Sequence, residues 1–485
     1  MEQYKVLIQR LGLMGITQVL INLTSILMVP LLTKNLSVAD YGIWIQFTVT
    51  VTLLSMVASL GLTTTLIRFL ASKKDVKKIL EVFYSIFFVI LAFLSIVIVV
   101  LMLLSHPISD LIFDGNYQVG FMLPIVLFFY CLNKLLMAYF NAFRQMKLYS
   151  MLLVTQSYLS LGVAIYLIYN GFGLMGAIYG MLTTNILLFL FMSYRILSEI
   201  SFKIPTFKDL YEYLDYGLPL LPTSLSYWIL ASSDRYIIGI LLGITFVGYY
   251  SPGYALGYII TMLIYPFTAV LPAVLPKYYD NGEFGEMKLI LENSLKYFFL
   301  LAIPAAFGLT LLSQEVLTIL STADIASKGY QITFFTAFSG LLLGLKEICI
   351  QIMTVNKKTK IIGALWISAS VMSIVLNFLL IPYLGINGAG LTTLITYSFV
   401  SILTLIYSRK YFIFSLNLKF VVKSFLAASI MSVFLYLFIY QFNFHNLIEI
   451  GILIMVSAII YFVLMIMFKG IDRKELNLVK MMMMK

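Results

Sequence analysis

The sequence predicts an all-α polytopic membrane protein with fourteen transmembrane helices. Hydrophobic residues make up 61% of the 485 residues and charged residues 11%, and the mean hydropathy is +1.00. The apolar residues form continuous runs of about 20 to 28 residues, the length at which a helix crosses a bilayer. Lipid offers the backbone no hydrogen bonds, and the runs lack the alternation of β-barrel strands, so helices are the structure that fits.

Each predicted span is one such apolar run, and short polar loops separate it from its neighbours. The runs lie near residues 11–33, 41–64, 79–104, 119–142, 150–169, 174–195, 214–241, 246–275, 291–313, 330–355, 361–381, 387–408, 419–440 and 447–468. The first run lacks a cleavage pattern and is too long for a signal peptide, so we expect it to be retained as a span.

The basic residues are concentrated on one side of the predicted membrane. Of the 32 Lys and Arg, 26 lie at the termini or in loops that join an even-numbered span to the next odd one; the opposite loops hold two, Lys34 and Lys328. This positive-inside pattern places both termini in the cytoplasm, which an even number of spans requires, and the expected location is the cell (plasma) membrane. Membrane topology therefore explains the net charge of +11, and nucleic acid is not an expected partner.

The chain contains a faint internal repeat. Residues 35–42 align with residues 243–250 at an offset of 208, and residues 173–177 align with 385–389 at an offset of 212. Spans 1–6 and 7–12 are therefore predicted to be two copies of one six-helix unit. Parallel repeats of this kind hold substrate near the membrane midplane and rock one lobe against the other.

The repeat predicts the domain organisation. We expect two pseudo-symmetric lobes, an appended hairpin of spans 13 and 14, and a cytoplasmic basic tail, at residues 1–200, 201–412, 413–470 and 471–485 respectively. The loops have no room for a catalytic domain, and no ATP-binding loop, metal cluster or sugar-nucleotide motif is visible. The sequence thus predicts a protein that is not an enzyme and holds no metal or cofactor.

Two lysines within predicted spans occupy matching positions of the repeat. Lys134 and Lys346 coincide when residues 132–144 are aligned without gaps on residues 344–356. A charge in hydrocarbon costs several kcal/mol and usually marks a functional site. The pair predicts a cationic site for a diphosphate, for which lysine is a mobile point charge. The alternative is a pair of lobe-stabilising or lipid-facing lysines that extend toward the interface.

Three further charged residues are candidates for the same site. Arg235, near the outer end of span 7, is a candidate phosphate ligand, or alternatively an anchor at the outer interface. Asp234 and Glu347 are candidates for ion coupling, or alternatively for charge neutralisation within the bundle. Because neighbours in a helix point about 100° apart, Asp234 and Arg235 are not expected to be a ready ion pair, and Glu347 is expected to point to a different helix face from Lys346.

Aromatic residues and prolines in spans 7 and 8 complete the candidates. Sugars stack on aromatic faces, so Tyr227, Trp228, Tyr254 and Tyr258 are candidate sugar contacts, with helix packing or an interface belt as the alternative. Proline removes a backbone donor and favours kinks, and we expect a hinge at two prolines of span 7, Pro219 and Pro222.

Three segments resemble a known family. Residues 216–222 with 232–239 in span 7, residues 377–390 between spans 11 and 12, and residues 36–42 between spans 1 and 2 resemble the polysaccharide-biosynthesis (Wzx-type) flippases. These belong to the multidrug/oligosaccharidyl-lipid/polysaccharide exporter superfamily. The resemblance covers about residues 5–470 and rests on the three segments occurring in order among fourteen spans.

The resemblance implies a V-shaped exporter fold and a transport function. The family moves polyprenyl-diphosphate-linked oligosaccharide from the cytoplasmic to the outer leaflet by alternating access, for assembly of O-antigen, capsule or exopolysaccharide. It implies coupling to a proton or sodium gradient, and a polysaccharide polymerase and glycosyltransferases as partners.

Three other functions are retained as alternatives. A flippase for lipid-linked peptidoglycan precursors shares the fourteen spans, although further basic residues in spans 1 and 2 would be expected. A multidrug or cation exporter of the same superfamily should carry acidic residues in its cavity. A membrane glycosyltransferase or polymerase should carry an acidic motif in a long external loop.

Overall fold

The computed structural model describes residues 2–71, 75–441 and 446–470, and within them the regular structure is helical throughout. Of the basic residues counted in the positive-inside pattern, Lys73, Lys74 and those of the tail 471–485 lie outside the described residues. Uninterrupted apolar runs give these helices, and polar caps begin several of them. For example, the Ser37 hydroxyl accepts the Asp40 backbone N–H at 3.0 Å.

The α-helices are numbered in chain order. The first eight are α1 Glu2–Asn35, α2 Val38–Ala58, α3 Leu62–Leu70, α4 Val76–Leu103, α5 Ser105–Ile112, α6 Tyr117–Ala142, α7 Met146–Leu167 and α8 Gly173–Glu199. The next nine are α9 Leu210–Gly217, α10 Leu221–Leu242, α11 Ile244–Tyr258, α12 Tyr265–Asp280, α13 Phe284–Leu311, α14 Ser313–Leu320, α15 Ala323–Val355, α16 Thr359–Leu384 and α17 Ile386–Tyr411. The last two are α18 Leu418–Gln441 and α19 Leu447–Met467.

Twelve helical segments of the described residues are long and apolar enough to cross a membrane. One of them, 54 residues long, contains both α7 and α8, which meet at a π-helical turn where Gly171 has φ +88°. The α10 helix is not among the twelve. A polytopic helical protein is therefore observed, while the number fourteen stays a prediction.

The internal repeat is visible in the order and length of the helices. α4 and α13 both contain 28 residues and begin 208 positions apart, and α5 and α14 both contain eight residues at the same offset. In each case a single residue, Leu104 or Leu312, separates the long helix from the short one, and this shared arrangement argues for two copies of one unit. The sequence repeat thus extends to elements in which no motif was recognised.

The same hydrogen bond pattern closes each copy of the repeat. The Glu81 carboxylate of α4 accepts the backbone N–H and hydroxyl of Thr206 at 2.7 and 2.8 Å. The Glu292 carboxylate of α13 accepts the backbone N–H and hydroxyl of Ser415, both at 2.7 Å. We call these two interactions the first and second glutamate clasps; each holds the segment that follows the sixth predicted span of its repeat.

The chain divides into two compact units. Unit 1 contains the residues up to Gly248 together with Ser370–Gly385, and unit 2 contains Tyr249–Ala369 and the residues from Ile386 onward. The boundary falls inside α11 and inside α16. The predicted lobe boundaries at residues 200 and 412 follow the repeat and stay a prediction.

Within unit 1, α2 crosses the first residues of α11 without space for a side chain. A Cβ atom at Gly42 would collide with the backbone carbonyl of Ile244, and one at Gly248 would collide with the carbonyl of Val38. In the alignment of residues 35–42 with 243–250, Gly42 matches Tyr250 and Gly248 matches Asp40, so each segment contributes its own glycine to the crossing. Glycine at both positions is what permits the two backbones to touch.

Within unit 2, α15 is the central helix. It packs on α13 and α17, and its Thr333 hydroxyl donates to the Gly253 carbonyl of α11 at 3.1 Å. α18 packs on α13, and α19 packs on α18. The hairpin of α18 and α19 is therefore attached to unit 2 through α13.

Candidate functional site

Lys134 lies on α6 in unit 1 and is only partly buried. Its ammonium group donates to the Ser55 hydroxyl of α2 at 3.1 Å and lies 5.2 Å from the centre of the Tyr130 ring. Neither partner carries a charge. The positive charge of Lys134 is therefore oriented by the protein without being neutralised by these contacts.

Lys134 lines a cavity of about 410 Å³ in unit 1. The walls come from α2, α3, α6, α7 and α10. The polar side chains of the lining are Ser59, Thr63, Thr64, Tyr130, Asn133, Lys134, Asn141, Tyr149, Gln156 and Ser224. Among these described lining residues, Lys134 is the single charged side chain. Such a surface suits one anionic group accompanied by hydroxyl or amide groups.

A buried network of three amides supports the cavity wall. The Asn133 amide donates to the backbone and side-chain carbonyls of Asn185 at 2.8 and 3.0 Å, and Gln156 donates to the Asn185 side chain at 3.2 Å. Asn133 and Asn185 are almost completely buried. The network joins α6, α7 and α8, so it fixes the helix that carries Lys134 relative to the opposite wall.

Lys346, the repeat partner of Lys134, lies in a different environment in unit 2. It is 1% exposed, its ammonium group is 2.7 Å from a Glu347 carboxylate oxygen, and it lies 3.4 Å from the centre of the Trp366 ring. Glu347 is expected to point to a different helix face from Lys346, yet the two side chains form an ion pair. The lysine stem is long enough to turn back across the helix, and burial makes the neighbouring carboxylate the most favourable partner.

Arg235 and Asp234 on α10 also form an ion pair, contrary to the sequence expectation. A guanidinium nitrogen of Arg235 lies 3.1 Å from an Asp234 oxygen and donates to the Ala231 carbonyl at 2.8 Å. The same carboxylate oxygen accepts the backbone N–H of Arg235 at 2.9 Å. Asp234 has folded toward its own backbone, which brings it within reach of the guanidinium, and both residues are buried in unit 1.

The four candidate aromatic residues have different surroundings. Tyr227 is 44% exposed, whereas Trp228 is buried, packs on Tyr236, and has an indole N–H without a partner. Tyr254 packs between Tyr250 and Tyr258 with ring centres 5.6 and 5.7 Å apart. Neither pair is among the residues lining the Lys134 cavity.

The prolines of span 7 coincide with an irregular turn. Leu218–Leu220 forms a 3₁₀-helix that contains Pro219, and Pro222 lies in the first turn of α10. A tighter turn at this position is the expected local effect of proline. The hinge function of Pro219 and Pro222 stays a prediction.

Sequence reasoning singled out Lys134 but missed most of its surroundings. Ser55, Tyr130 and Gln156 were not recognised, since isolated neutral polar residues are frequent in membrane helices. A signal existed for two others: Asn133 and Asn185 are amides deep inside apolar runs, where a polar group needs a partner. That observation alone could have paired α6 with α8.

Comparison with known proteins gives a family match. A model of the family described as polysaccharide biosynthesis protein matches residues 7–276, more than half of the chain. The probable flippase AglR of Haloferax volcanii is 26% identical over 253 residues, which are 50% of this chain and 50% of that protein. The probable low-salt glycan biosynthesis flippase Agl15 of the same organism is 25% identical over 206 residues, 42% of this chain and 43% of that protein. The chain thus matches these relatives over about half of their length or less.

Solved structures match the fold over most of the chain. The lipid II flippase MurJ in an inward closed conformation has a TM-score of 0.74 at 16% identity and covers 96% of this chain and all of that one. An inward-facing multidrug resistance MATE family transporter has a TM-score of 0.63 at 16% identity, over 81% of this chain and 94% of that one. A transporter of the MOP superfamily from Pyrococcus furiosus has a TM-score of 0.60 at 15% identity, over 84% and 95%. The predicted class of polytopic helical membrane protein is confirmed.

Proposed function

The chain belongs to the polysaccharide biosynthesis protein family, and from this membership we propose that it is a flippase for lipid-linked oligosaccharide. It moves polyprenyl-diphosphate-linked oligosaccharide from the cytoplasmic to the outer leaflet by alternating access, for the assembly of a surface polysaccharide. The family and the names of the two archaeal relatives support transport of a lipid-linked glycan. The Lys134 cavity is the observation that carries the proposal for this chain.

In the proposed mechanism, Lys134 attracts the phosphate that links lipid and sugar. An ammonium group in a partly buried position interacts more strongly with phosphate than it would in water. The hydroxyl and amide groups of the cavity bind sugar hydroxyls, while the polyprenyl tail remains in lipid. Ser55 holds the ammonium group toward the cavity before the substrate arrives.

Two of the alternatives are less well supported, one by the charge of the cavity and the other by the surroundings of Asp110. A drug exporter that carries cations would need acidic residues, whereas the described lining has a lysine and no carboxylate. A polymerase would need reactive carboxylates outside the membrane, and Asp110 there accepts a hydrogen bond from Tyr117 at 2.9 Å in a short connection. The MurJ likeness concerns the fold, so a peptidoglycan precursor remains the competing substrate.

The roles of the other charged candidates are part of the same proposal. We assign Lys346 and Glu347 to ion coupling, because a buried ion pair with one partly exposed carboxylate can exchange a proton or cation. In this conformation Arg235 is engaged with Asp234 and with the Ala231 carbonyl, both on α10. Lys346 and Arg235 would bind phosphate only after their carboxylate partners are displaced.

The test is replacement of Lys134 by Ala and by Arg in cells that depend on the protein for surface polysaccharide. A charge-assisted hydrogen bond is worth about 1.5–3 kcal/mol, so Lys134→Ala should lower export about tenfold or more at equal protein abundance. Lys134→Arg should retain part of the activity because the charge remains. Lys147→Ala, which removes an exposed lysine on the next helix, serves as the control. Export by Lys134→Ala at the level of the control would refute the phosphate site.

The class of substrate is tested separately, by comparing the binding of two lipid-linked compounds. Purified protein is reconstituted, and binding of polyprenyl-diphosphate oligosaccharide is compared with that of a lipid-linked peptidoglycan precursor. Stronger binding of the oligosaccharide is expected. The opposite preference would replace the proposed substrate but leave Lys134 as the phosphate ligand.

A further inference from the structure

A second cavity lies in unit 2, where α13 and α18 begin. Its volume is about 480 Å³. The polar side chains of its lining are Glu292, Asn293, Lys296, Ser415, Asn417 and Lys419. Its apolar wall includes Phe299, Phe420 and Val421. The cavity therefore combines two cations with an apolar wall, which is the composition expected for the head of an amphiphile.

The single carboxylate in this lining is already engaged. Glu292 forms the second glutamate clasp with Ser415 and also lies 4.0 Å from Lys288. Because the donors of the clasp are neutral, the Glu292 carboxylate keeps its charge and offsets one of the two lysines of the lining. The two lysines leave the cavity with a positive balance.

The first repeat shows that the clasp itself needs no lysine. Four residues after Glu81 stands Ser85, which is buried and donates to Glu81 at 3.4 Å. Four residues after Glu292 stands Lys296, whose ammonium group lies 5.5 Å from the centre of the Phe420 ring. Serine at this position is already a donor to the clasp glutamate, so the lysine of the second repeat adds a positive charge that the clasp does not require.

The position of the cavity relative to lipid supports an amphiphilic ligand. Leu418 and Val422 of α18 are 67% and 57% exposed, so the start of this helix presents apolar side chains outward. The basic-residue pattern places the loop before α18 on the predicted cytoplasmic side. The cavity is therefore expected at the depth of the cytoplasmic headgroups, where basic pockets between helices recruit anionic lipids.

We propose that this cavity binds the headgroup phosphate of an anionic phospholipid of the cytoplasmic leaflet. Lys296 and Lys419 contact the phosphate, and Asn293 and Asn417 donate to its oxygens or to the glycerol hydroxyls. The acyl chains lie against Leu418 and Val422. This site is separate from the Lys134 cavity and does not depend on the proposed transport function.

The experiment titrates phosphatidylglycerol into the full-length protein in a neutral detergent and follows its melting temperature. Phosphatidylglycerol should raise the melting temperature of the wild type, and phosphatidylcholine should not. The double variant Lys296→Gln and Lys419→Gln should need at least about tenfold more phosphatidylglycerol for half of the effect. Lys296→Arg, which keeps the charge, should respond nearly as the wild type does.

Two controls make the outcome decisive. Lys147→Gln with Lys208→Gln removes two exposed lysines from unit 1 and should leave the response unchanged. Inorganic phosphate at the same concentration tests a soluble ligand and should have no effect. An equal response of wild type and Lys296/Lys419 variant would overturn the site. Equal stabilisation by inorganic phosphate would overturn its assignment to lipid.

Discussion

Among single residues, Lys346 raises the question of how the protein compensates the burial of a charged ammonium group. A nearly completely buried ammonium group is retained because Glu347 and the Trp366 ring replace its water. Cation–π contacts of desolvated lysines contribute about 2 kcal/mol. Removing one member of a buried pair costs more than removing both, since the remaining charge has no counterpart.

This asymmetry gives a prediction for Lys346 and Glu347. Glu347→Gln alone should destabilise the protein by about 3 kcal/mol, whereas the double variant Lys346→Met with Glu347→Gln should recover most of that loss. The measurement is thermal unfolding of the purified variants. A double variant at least as unstable as Glu347→Gln would show that the pair contributes little through its charges.

A second prediction concerns Asn185, the centre of the amide network. Asn185→Leu removes the acceptor of both Asn133 and Gln156 and leaves a buried amide without its partner. An unsatisfied buried amide costs about 1–3 kcal/mol, so stability should fall by that amount. Asn170→Leu, at an exposed asparagine, is the control and should change stability little. Equal unfolding of the two variants would contradict the network.

The sequence identified the charged residues but not their environments. Lys134 and Lys346 stand out because both interrupt apolar runs, and the repeat relates them. Which of them lines a cavity depends on neighbours from other helices, such as Ser55 for one and Trp366 for the other. The helical angle alone also fails to predict whether adjacent residues pair, because the long stem of a lysine or arginine can bring its charged group back to its neighbour.

At the scale of helices, the crossing of α2 and α11 determines how closely two repeat-related segments approach. Backbone carbonyls occupy the space where a Cβ atom of Gly42 or Gly248 would stand. Alanine at either position should therefore separate the helices. The alignment of residues 35–42 with 243–250 indicates that these segments are copies of one repeat, but only the structure shows that they are in contact.

The expected result for Gly42→Ala is a lower melting temperature and lower export at equal abundance. Backbone atoms must move to accept the methyl group, which costs about 1–3 kcal/mol. Gly162→Ala in α7 is the matched control, because nothing lies within 4 Å of its added methyl group. It should be neutral or slightly stabilising, since alanine favours a helix over glycine. Identical behaviour of the two variants would rule out close packing at this crossing.

The 3₁₀-helix Leu218–Leu220 gives a prediction for the proline hinge. Replacing Pro219 and Pro222 by Ala restores backbone donors and favours a regular helix. Export should then fall more than protein abundance does. The measurement is surface polysaccharide normalised to the amount of protein in the membrane. A parallel loss of both would indicate a folding role instead.

For the whole molecule, the repeat is the most informative property of the sequence. The equal lengths of α4 and α13 and of α5 and α14 follow the repeat, while the two copies of a six-helix unit stay a prediction. The glutamate clasps could not be foreseen, because Glu81 and Glu292 are offset by 211 residues while their helices begin 208 apart. Hydropathy alone does not establish the number of spans. α10 contains charged residues and is not apolar enough to be counted among the twelve segments.

The first glutamate clasp and the predicted topology can be tested together. Lys203 and Lys208 are exposed on either side of Thr206, and trypsin cuts after lysine. In inside-out vesicles Glu81→Ala should be cut in this segment several times faster than the wild type, and intact cells should be resistant. Glu212→Ala is the control. Cleavage in intact cells would invert the topology, and an unchanged rate for Glu81→Ala would show that the clasp does not restrain the segment.

The first glutamate clasp also restricts where the segment that connects the two repeats can change its conformation. Once Thr206 is fixed to α4, only the three residues 207–209 separate it from α9. A connection of three residues is too short to accommodate a rotation of one repeat against the other. Any such rotation would have to be accommodated further along the chain, at the 3₁₀ turn that contains Pro219.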